Sequence, residues 1–590
     1  MNNQNKVYNL RLFKRLLAYI KSYRNIFIFS VLSVFGLSIF GALRPLILEK
    51  IVDDNLTANN YEFFVEYVVI MLFLLVFEVI SNYSFIYNAG LLGQSVVKDI
   101  RIQLFKHIQD FKMKYYDQSS VGILITRTVT DMERIADIFG QGLFMILSDI
   151  LKMFIVAIVM IYMNWELSLI VFISLPFILF ATKIFQKYMK LAFDEVRNEV
   201  ANLNSFVQER VTGMNILQLF AREKIEYNKF KEINERHKKA WLKTVWYNSI
   251  FFPVAEIFSS LTLGLVVWYG GMNTVLDNTA SIGELTAFIM MIPMLFRPLN
   301  QIANKFNTLL MGMVAAERVF KILDTESSIK NIGSKSADFV KGKIKYKNVN
   351  FSYKSGENVI QNFDLEINPG SNNAIVGATG SGKSTIIKLL NRFYELKEGS
   401  ILIDDVKIEE YSISSLRRNI GFVSQDVHLF SDTILNNITL KNSNISFLKV
   451  KEAAKEIELD DFISSLPEGY NYNVKERGIS LSTGQRQLIS FLRAYIKNPQ
   501  ILVLDEATSS IDTDSEILIQ KAIEKITKNR TSIIIAHRLS TIKKADNIIV
   551  MDKGKIVEQG KHNELLKNKN GSYKKLYEAQ LKKEKNPEMF

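Results

Sequence analysis

The sequence predicts an α-helical membrane domain of six spans followed by an α/β domain. Three observations support this prediction. The chain has 590 residues, which is too long for one domain. Hydrophobic residues make up 48% of it and charged residues 23%, which indicates an apolar part joined to a polar part. Long apolar runs end near residue 320, whereas short apolar strands alternate with turns and helices beyond residue 341.

The composition change places the domain boundaries. We expect a transmembrane domain over 1–320 and a linker over 321–340, where Ser, Lys, Gly and Asp are frequent. The α/β domain is expected over 341–580, with a lysine-rich tail over 581–590.

Six segments of the first domain are long and apolar enough to cross a bilayer, which takes about 20 residues of helix. A large soluble protein could bury such helices, but six in one half-chain are hard to bury. The third and fourth are separated only by a turn around 163–166 and therefore form a hairpin. The predicted spans are about 26–48, 64–92, 140–163, 166–187, 248–271 and 282–305.

Basic residues predict the orientation of these spans. Lys and Arg are frequent before span one and after spans two and four, and nearly absent from the loops between. The positive-inside rule then places both termini in the cytoplasm, in a multi-pass protein of the cytoplasmic membrane. The rule also accounts for the net charge of +13 without a nucleic-acid partner. The basic N-terminus predicts an amphipathic helix on the membrane surface, not a signal peptide.

The segments 93–139 and 188–247 are charged but patterned as helices. We expect them to continue the membrane helices into the cytoplasm. The chain has no cysteine, which excludes disulfides, thiolate metal sites and cysteine catalysis.

A P-loop follows the apolar strand 373–376 and precedes a helical run. Its glycines let backbone N–H groups surround phosphates, Lys383 reaches the outer phosphates, and Ser384 can hold Mg²⁺. ATP and Mg²⁺ are therefore the expected cofactors. The predicted phosphate-binding residues are Gly377, Ala378, Thr379, Gly380, Ser381, Gly382, Lys383, Ser384 and Thr385.

Two further motifs complete the nucleotide chemistry. The strand ILVLD ends in Asp505, placed to orient Mg²⁺, and Glu506, placed to polarise the attacking water. The motif LSTGQ puts Ser482, Gly484 and Gln485 at the start of a helix, a second phosphate site. A second site implies a second nucleotide and another copy of the domain facing it.

With these motifs in order, nearly the whole chain resembles an ABC exporter half-transporter. The resemblance makes Tyr353 the residue that stacks on adenine and Gln425 a residue that senses Mg²⁺ and the membrane domain. His537 matches the switch histidine at the γ-phosphate, and Asp512 matches the D-loop aspartate, after Ser510 and Ile511. Glu476 matches the loop that contacts coupling helices, although Lys475 stands where glycine is common.

The resemblance extends to the membrane domain, where 115–131 and 209–224 are similar to the two cytoplasmic coupling segments. It implies a dimer of twelve spans, with two nucleotides held between Walker residues of one chain and the signature of the other. The implied activity is ATP-driven export of a hydrophobic or amphipathic substrate, drug-like or lipid.

One signature position departs from the family pattern LSGGQ, because Thr483 replaces the first glycine. A β-branched residue restricts both the backbone and the space beside a phosphate. Since Lys383, Asp505, Glu506 and His537 are all present, we favour a heterodimer over a homodimer. This chain would then supply the competent Walker residues, and Thr483 would face a weakened site.

Ionisable residues within spans are candidates for the substrate pathway. Asp149 and Lys152 are three residues apart on one helix and are expected to neutralise each other. Glu256 and Arg297 are better candidates for a wet cavity. The methionine-rich run 290–296 suits varied apolar ligands, or simply helix packing. The candidates are Glu78, Asp149, Lys152, Glu256 and Arg297.

Other functions remain open. An ATP-gated channel or a regulatory half-transporter would share every motif but could not move a solute uphill. An ABC importer usually keeps its ATPase on a separate chain, and a soluble ABC ATPase acting on nucleic acid lacks spans. A leader-cleaving peptide exporter is not expected, because no peptidase domain precedes the first span.

Overall fold

A computed structural model describes the chain over 10–58, 62–276, 280–326, 333–337, 340–354, 356–505, 513–536, 538–568 and 570–585. The described residues form two compact units. The first comprises those of Met1–Gln109 and Ser119–Glu326, and the second those of Asp110–Gln118 and Ser327–Phe590.

The first unit is entirely helical. Short 3₁₀ and π-helical turns at Lys21–Tyr23, Ile51–Thr57 and Ile138–Leu143 join some of its α-helices. One short helix in this stretch of chain, α4, belongs to the second unit. The helices are α1 (Leu10–Ile20), α2 (Arg24–Lys50), α3 (Phe64–Gln109), α4 (Met113–Gln118), α5 (Val121–Thr128), α6 (Thr130–Asp137), α7 (Phe144–Met163), α8 (Trp165–Thr212), α9 (Met214–Leu219), α10 (Glu223–Leu276) and α11 (Ile282–Leu323).

Within the described ranges, six helical segments are long and apolar enough to cross a membrane, which confirms the six predicted. The hairpin of spans three and four is also confirmed. Asn164 ends α7 and caps α8, because its side-chain oxygen accepts from the backbone N–H groups of Glu166 and Leu167, both at 3.1 Å.

Three helices continue far beyond the length that crosses a bilayer. Helices α3, α8 and α10 contain 46, 48 and 54 residues, against the roughly 20 that span the hydrocarbon core. The prediction that membrane helices extend through 188–247 is confirmed, with one break at α9. The segment 93–139 is less regular, because α3 ends at Gln109 and shorter helices follow.

The second unit is an α/β domain built on two sheets. One sheet has four strands in the order β2-β1-β4-β5, and the other has six in the order β10-β9-β3-β8-β7-β6. The strands are β1 (Ile344–Phe351), β2 (Ile360–Ile367), β3 (Asn372–Gly377), β4 (Glu398–Ile403), β5 (Val406–Lys407), β6 (Ile420–Val423), β7 (Ile501–Asp505), β8 (Thr531–Ile535), β9 (Asn547–Asp552) and β10 (Lys555–Gly560).

Besides α4, the α-helices that the structure describes in the second unit lie between these strands, apart from two that follow β10. They are α12 (Lys383–Leu390), α13 (Ile413–Asn419), α14 (Ile434–Thr439), α15 (Phe447–Glu456), α16 (Asp460–Ser464), α17 (Thr483–Tyr495), α18 (Thr513–Thr527), α19 (Leu539–Lys543), α20 (His562–Lys567) and α21 (Ser572–Lys585).

The parallel strands of the six-stranded sheet are mostly buried on both faces, whereas the edge strand β10 alternates between exposed and partly buried residues. Strands β9, β3, β8, β7 and β6 are parallel, and β10 is antiparallel to β9. Along β8, Ile533 and Ile535 pack into one apolar cluster and Ile534 into the other. Such double burial explains the continuous apolar runs by which these strands were predicted.

Candidate functional site

The P-loop joins the carboxyl end of β3 to the first turn of α12. Gly382 has a φ of +100°, and a Cβ there would lie 2.7 Å from Cδ1 of Ile360, so the turn needs glycine. The Lys383 ammonium donates to the main-chain oxygens of Gly377 and Ala378 at 2.8 and 2.9 Å. Burial lowers the pKa of Lys383, and the Asp505 carboxylate opposes this effect.

The other P-loop residues differ in exposure. Ala378, Thr379 and Gly380 are exposed, so the outer side of the loop is open to a ligand. The Ser381 hydroxyl is buried and has no hydrogen-bond partner in the described part of the chain. Ser384 is exposed in the first turn of α12, where the helix N-terminus favours an anion.

The strand register brings the P-loop and Asp505 to one edge of the sheet. Asp505, the last residue of β7, lies beside Ile535 of β8, and Ile535 lies beside Ile375 of β3. With strands about 4.8 Å apart, Asp505 and the start of the P-loop are two strand spacings from each other. Gln425 is exposed and follows β6, the neighbour of β7.

Three predicted site residues, Glu506, Asp512 and His537, lie outside the described residues. Of their neighbours, Asp505 ends β7 and Ala536 directly follows β8, both at the edge of the sheet that carries the P-loop.

Tyr353 lies beside the helix that follows the P-loop. Its hydroxyl is 3.2 Å from Oγ1 of Thr385, and its ring makes edge contacts with Phe351 and Tyr394. The ring is only half-buried, which leaves it available for stacking. Its role with adenine stays a prediction.

The signature residues form the first turn of α17. Ser482 caps the helix by accepting from the Gln485 N–H at 3.2 Å, and the Gln485 side chain accepts from the Ser482 N–H at 2.9 Å. The Arg486 guanidinium donates to Oγ1 of Thr483 at 3.1 Å and to the Leu481 carbonyl at 2.8 Å. Gly484 is buried, whereas Thr483 is exposed.

Sequence reasoning missed Arg493, which ties the signature helix to the segment after Gln425. Its guanidinium donates to the carbonyl oxygens of His428, at 3.2 Å, and Asn437, at 2.8 Å. Burial lowers the pKa of Arg493. The sequence does not reveal these contacts, because they are mostly with main-chain oxygens of a distant segment.

Two of the proposed coupling elements have distinct local structure. Helix α4 belongs to the same compact unit as the sheets, where Lys112 pairs with Glu395 at 2.8 Å and the Tyr394 hydroxyl donates to Asp117. Next to Glu476, Lys475 has a φ of +57°, a conformation that favours glycine. Lys475, which stands where glycine is common, therefore has a strained backbone conformation.

A cavity of about 440 Å³ lies within the helical unit. Arg297 lines it, as expected for a wet cavity, but Glu256 does not. The expected neutralisation of Asp149 by Lys152 is wrong, because Asp149 pairs with Lys305 at 2.5 Å. This ion pair joins α7 to α11, whereas the predicted pair lay within α7. The lining residues are Gly41, Arg44, Pro45, Glu78, Asp149, Lys152, Met290, Pro293, Met294, Arg297, Pro298 and Gln301.

Six apolar helices and a P-loop α/β domain in one chain define a multi-pass membrane ATPase. Comparison with known families narrows this class. The family described as the ABC transporter transmembrane region matches residues 26–299, and the family described as ABC transporter matches residues 360–509.

Curated relatives match over almost the full chain. An uncharacterized ABC transporter ATP-binding protein of Bacillus subtilis is 36% identical, covering 98% of this chain and 95% of its own length. An ATP-dependent lipid A-core flippase of Haemophilus influenzae is 35% identical, with 98% of both chains covered. One of Pseudoalteromonas translucida is 33% identical, covering 97% of this chain and 98% of its own.

The chain belongs to the ABC transporter family, as a half-transporter of the exporter type. It is an ATP hydrolase whose reaction is coupled to transmembrane transport.

Proposed function

We propose that this chain exports an amphipathic substrate, a lipid or a drug-like molecule, from the cytoplasmic membrane as half of a dimer. The observation that carries the proposal is the cavity among α2, α3, α7 and α11, whose wall combines methionine and proline with charged side chains. Such a mixed wall suits a molecule with an apolar and a polar part. Two relatives named as lipid A-core flippases favour a lipid over a drug.

At the nucleotide site, we assign the P-loop and Lys383 to the phosphates and Tyr353 to the adenine. Ser384, Gln425 and Asp505 would hold Mg²⁺, and this set fits the ion, which is usually bound by one or two carboxylates and substrate phosphates. The ion would neutralise charge on the transferred phosphoryl group. Glu506 would polarise the attacking water, and His537 would contact the γ-phosphate.

The second nucleotide contact would come from a partner half-transporter. Ser482, Gly484 and Gln485 would bind the partner's nucleotide, with Asp512 beside it. An exposed apolar tip on the helical unit, formed by Ile216, Leu219 and Phe220, supports a partner surface for the second coupling segment. Large apolar side chains at a loop tip mark interaction sites.

We favour a heterodimer because of Thr483. Its hydroxyl is held by Arg486, and its branched Cβ occupies a position where glycine allows close approach to phosphate. Both termini would lie in the cytoplasm, a position that the basic flanks favour.

The test is Mg-ATPase activity in nanodiscs, for this chain alone and co-expressed with a half-transporter from a neighbouring gene, each with a Glu506→Gln control. We expect activity in the mixed complex only, abolished by Glu506→Gln. Robust activity of this chain alone would instead establish a homodimer.

The export proposal needs its own measurement, because a channel or regulatory subunit would also hydrolyse ATP. In proteoliposomes, ATP should move a fluorescent phospholipid between leaflets against its gradient. Dissipation of an existing gradient without any uphill movement would replace the exporter with a channel.

A further inference from the structure

The cavity among α2, α3, α7 and α11, here called the charged cavity, contains an excess of positive charge. The Arg44 guanidinium pairs with the Glu78 carboxylate at 2.7 Å, and Lys305 pairs with Asp149 at 2.5 Å. Both pairs are partly buried, with side chains 17 to 26% exposed. Each carboxylate at the cavity thus already has a cationic partner.

Two cations remain after these pairs. Lys152 and Arg297 also line the cavity, and no carboxylate lies within 4 Å of either among the residues that the structure describes. A Cβ on Gly41 would lie 3.4 Å from a carboxylate oxygen of Glu78 and 3.7 Å from the Lys152 ammonium. Glycine at this position therefore leaves space for both side chains at the cavity wall.

We infer that the charged cavity binds the anionic group of an amphiphile, with Lys152 and Arg297 as its cationic ligands. This inference rests on the proposed function and names its substrate class. An unpaired charge within the membrane is costly, and an anion brought by the substrate lowers that cost. Cationic side chains also make charge-assisted hydrogen bonds to phosphate or carboxylate oxygens.

The rest of the wall restricts the ligand further. Met290, Pro293 and Met294 form an apolar side on α11, next to the core residues Met291 and Ile292 of the same helix. The cavity has a volume of about 440 Å³, which admits a small anionic group and its neighbouring atoms.

Binding to the full-length transporter in nanodiscs, assembled with its partner where activity requires one, tests the inference without ATP. The probes are fluorescent phosphatidylglycerol, phosphatidylcholine with the same tails, and fluorescent oleate. We expect phosphatidylglycerol to bind about tenfold more tightly than phosphatidylcholine, the effect of one charge-assisted interaction. Preference for oleate over phosphatidylglycerol would assign the anion as a carboxylate instead of a phosphodiester.

Matched variants locate the site. Lys152→Gln and Arg297→Gln should each remove most of the preference for the anionic probe, and Lys152→Arg should retain it. Lys183→Gln is the control, because Lys183 is an exposed cation within span four that does not line the cavity. Retained ATP binding shows that a variant is folded.

Two results would overturn the inference: equal binding of both phospholipids to the wild-type protein, or equal losses in Lys152→Gln and Lys183→Gln. The first is expected if a carboxylate of a second subunit neutralises the two cations. ATP-driven lipid movement without headgroup preference would contradict this inference and support the export proposal. Selective binding of the anionic lipid without ATP-driven movement would support this inference and contradict the export proposal.

Discussion

The Lys383 ammonium is held by the two carbonyl oxygens at the start of its own loop. This arrangement keeps a buried cation beside the exposed residues Ala378, Thr379 and Gly380, and so prepares it for an incoming phosphate. The lysine contributes charge at the point where negative charge must be stabilised.

Lys383→Ala is therefore expected to lower ATPase activity by about 100-fold or more, the usual loss when one positioned electrostatic contact is removed. The measurement is Mg-ATPase activity together with ATP binding. Lys407→Ala is the control, because Lys407 is an exposed cation on β5 away from the P-loop. Comparable losses in both variants would contradict a specific role for Lys383.

Thr483→Gly tests whether Thr483 makes one of the two ATP sites of the dimer weaker than the other. If Thr483 weakens the partner's site, glycine should restore close approach to phosphate and roughly double the ATPase rate, since two sites would then turn over. Thr483→Val removes the hydroxyl held by Arg486 but keeps the branched Cβ, and should give no gain. An unchanged rate in Thr483→Gly would mean that threonine is tolerated.

For individual residues, the sequence predicted the site well where the residues form one local motif. It predicted side-chain partners poorly where they come from different helices. The P-loop and signature could be recognised because their residues are contiguous. The pairing of Asp149 with Lys305 could not, because it depends on how α7 and α11 pack. Arg44 and Lys305 escaped notice because both lie towards the ends of their spans.

Among the helices, the start of α11 is joined to the turn after α2. Asp53 accepts from the Ser281 hydroxyl at 2.5 Å and from the Gly283 N–H at 2.8 Å. Ser281 in turn accepts from the Glu284 N–H at 2.9 Å. A side chain on Gly283 would clash with Asp53 and with the Glu49 carbonyl. This group of contacts holds the ends of two spans together.

Asp53→Ala should lower the free energy of unfolding by about 1–2 kcal/mol, because it removes the acceptor of both the Gly283 N–H in the first turn of α11 and the Ser281 hydroxyl. Thermal unfolding of the purified protein measures the effect. Asp54→Ala is the control, as the exposed Asp54 side chain accepts, among the described residues, a long hydrogen bond from the Tyr67 hydroxyl at 3.3 Å. Equal destabilisation of the two variants would refute the assignment.

The number of spans could be predicted because apolar length reports directly on membrane crossing. The exact ends of the helices could not, since α3, α8 and α10 remain helical well beyond the roughly 20 residues that cross the hydrocarbon core. Likewise, α11 continues past the predicted domain end at residue 320 to Leu323. The strands of the second unit were predictable because burial on both faces makes them apolar throughout.

For the whole molecule, the predicted orientation can be tested by labelling, because the chain has no cysteine to remove first. Leu448 and Val275 are 70% and 82% exposed. A membrane-impermeant maleimide added to intact cells should label Val275→Cys only. Leu448→Cys, in the α/β domain, should react only after the cells are permeabilised. The opposite pattern would invert the topology and contradict the positive-inside argument.

The uninterrupted length of α10 has a mechanical consequence. A helix of 54 residues is about 80 Å long, so roughly 50 Å of it extends beyond the hydrocarbon core. Its one proline, Pro253, lies inside span five, as Pro176 does in span four of α8. Proline is where a helix bends most easily. Each of these helices is thus a stiff lever with its fulcrum inside the bilayer, and a tilt of a few degrees there becomes a stroke of several ångströms at the far tip.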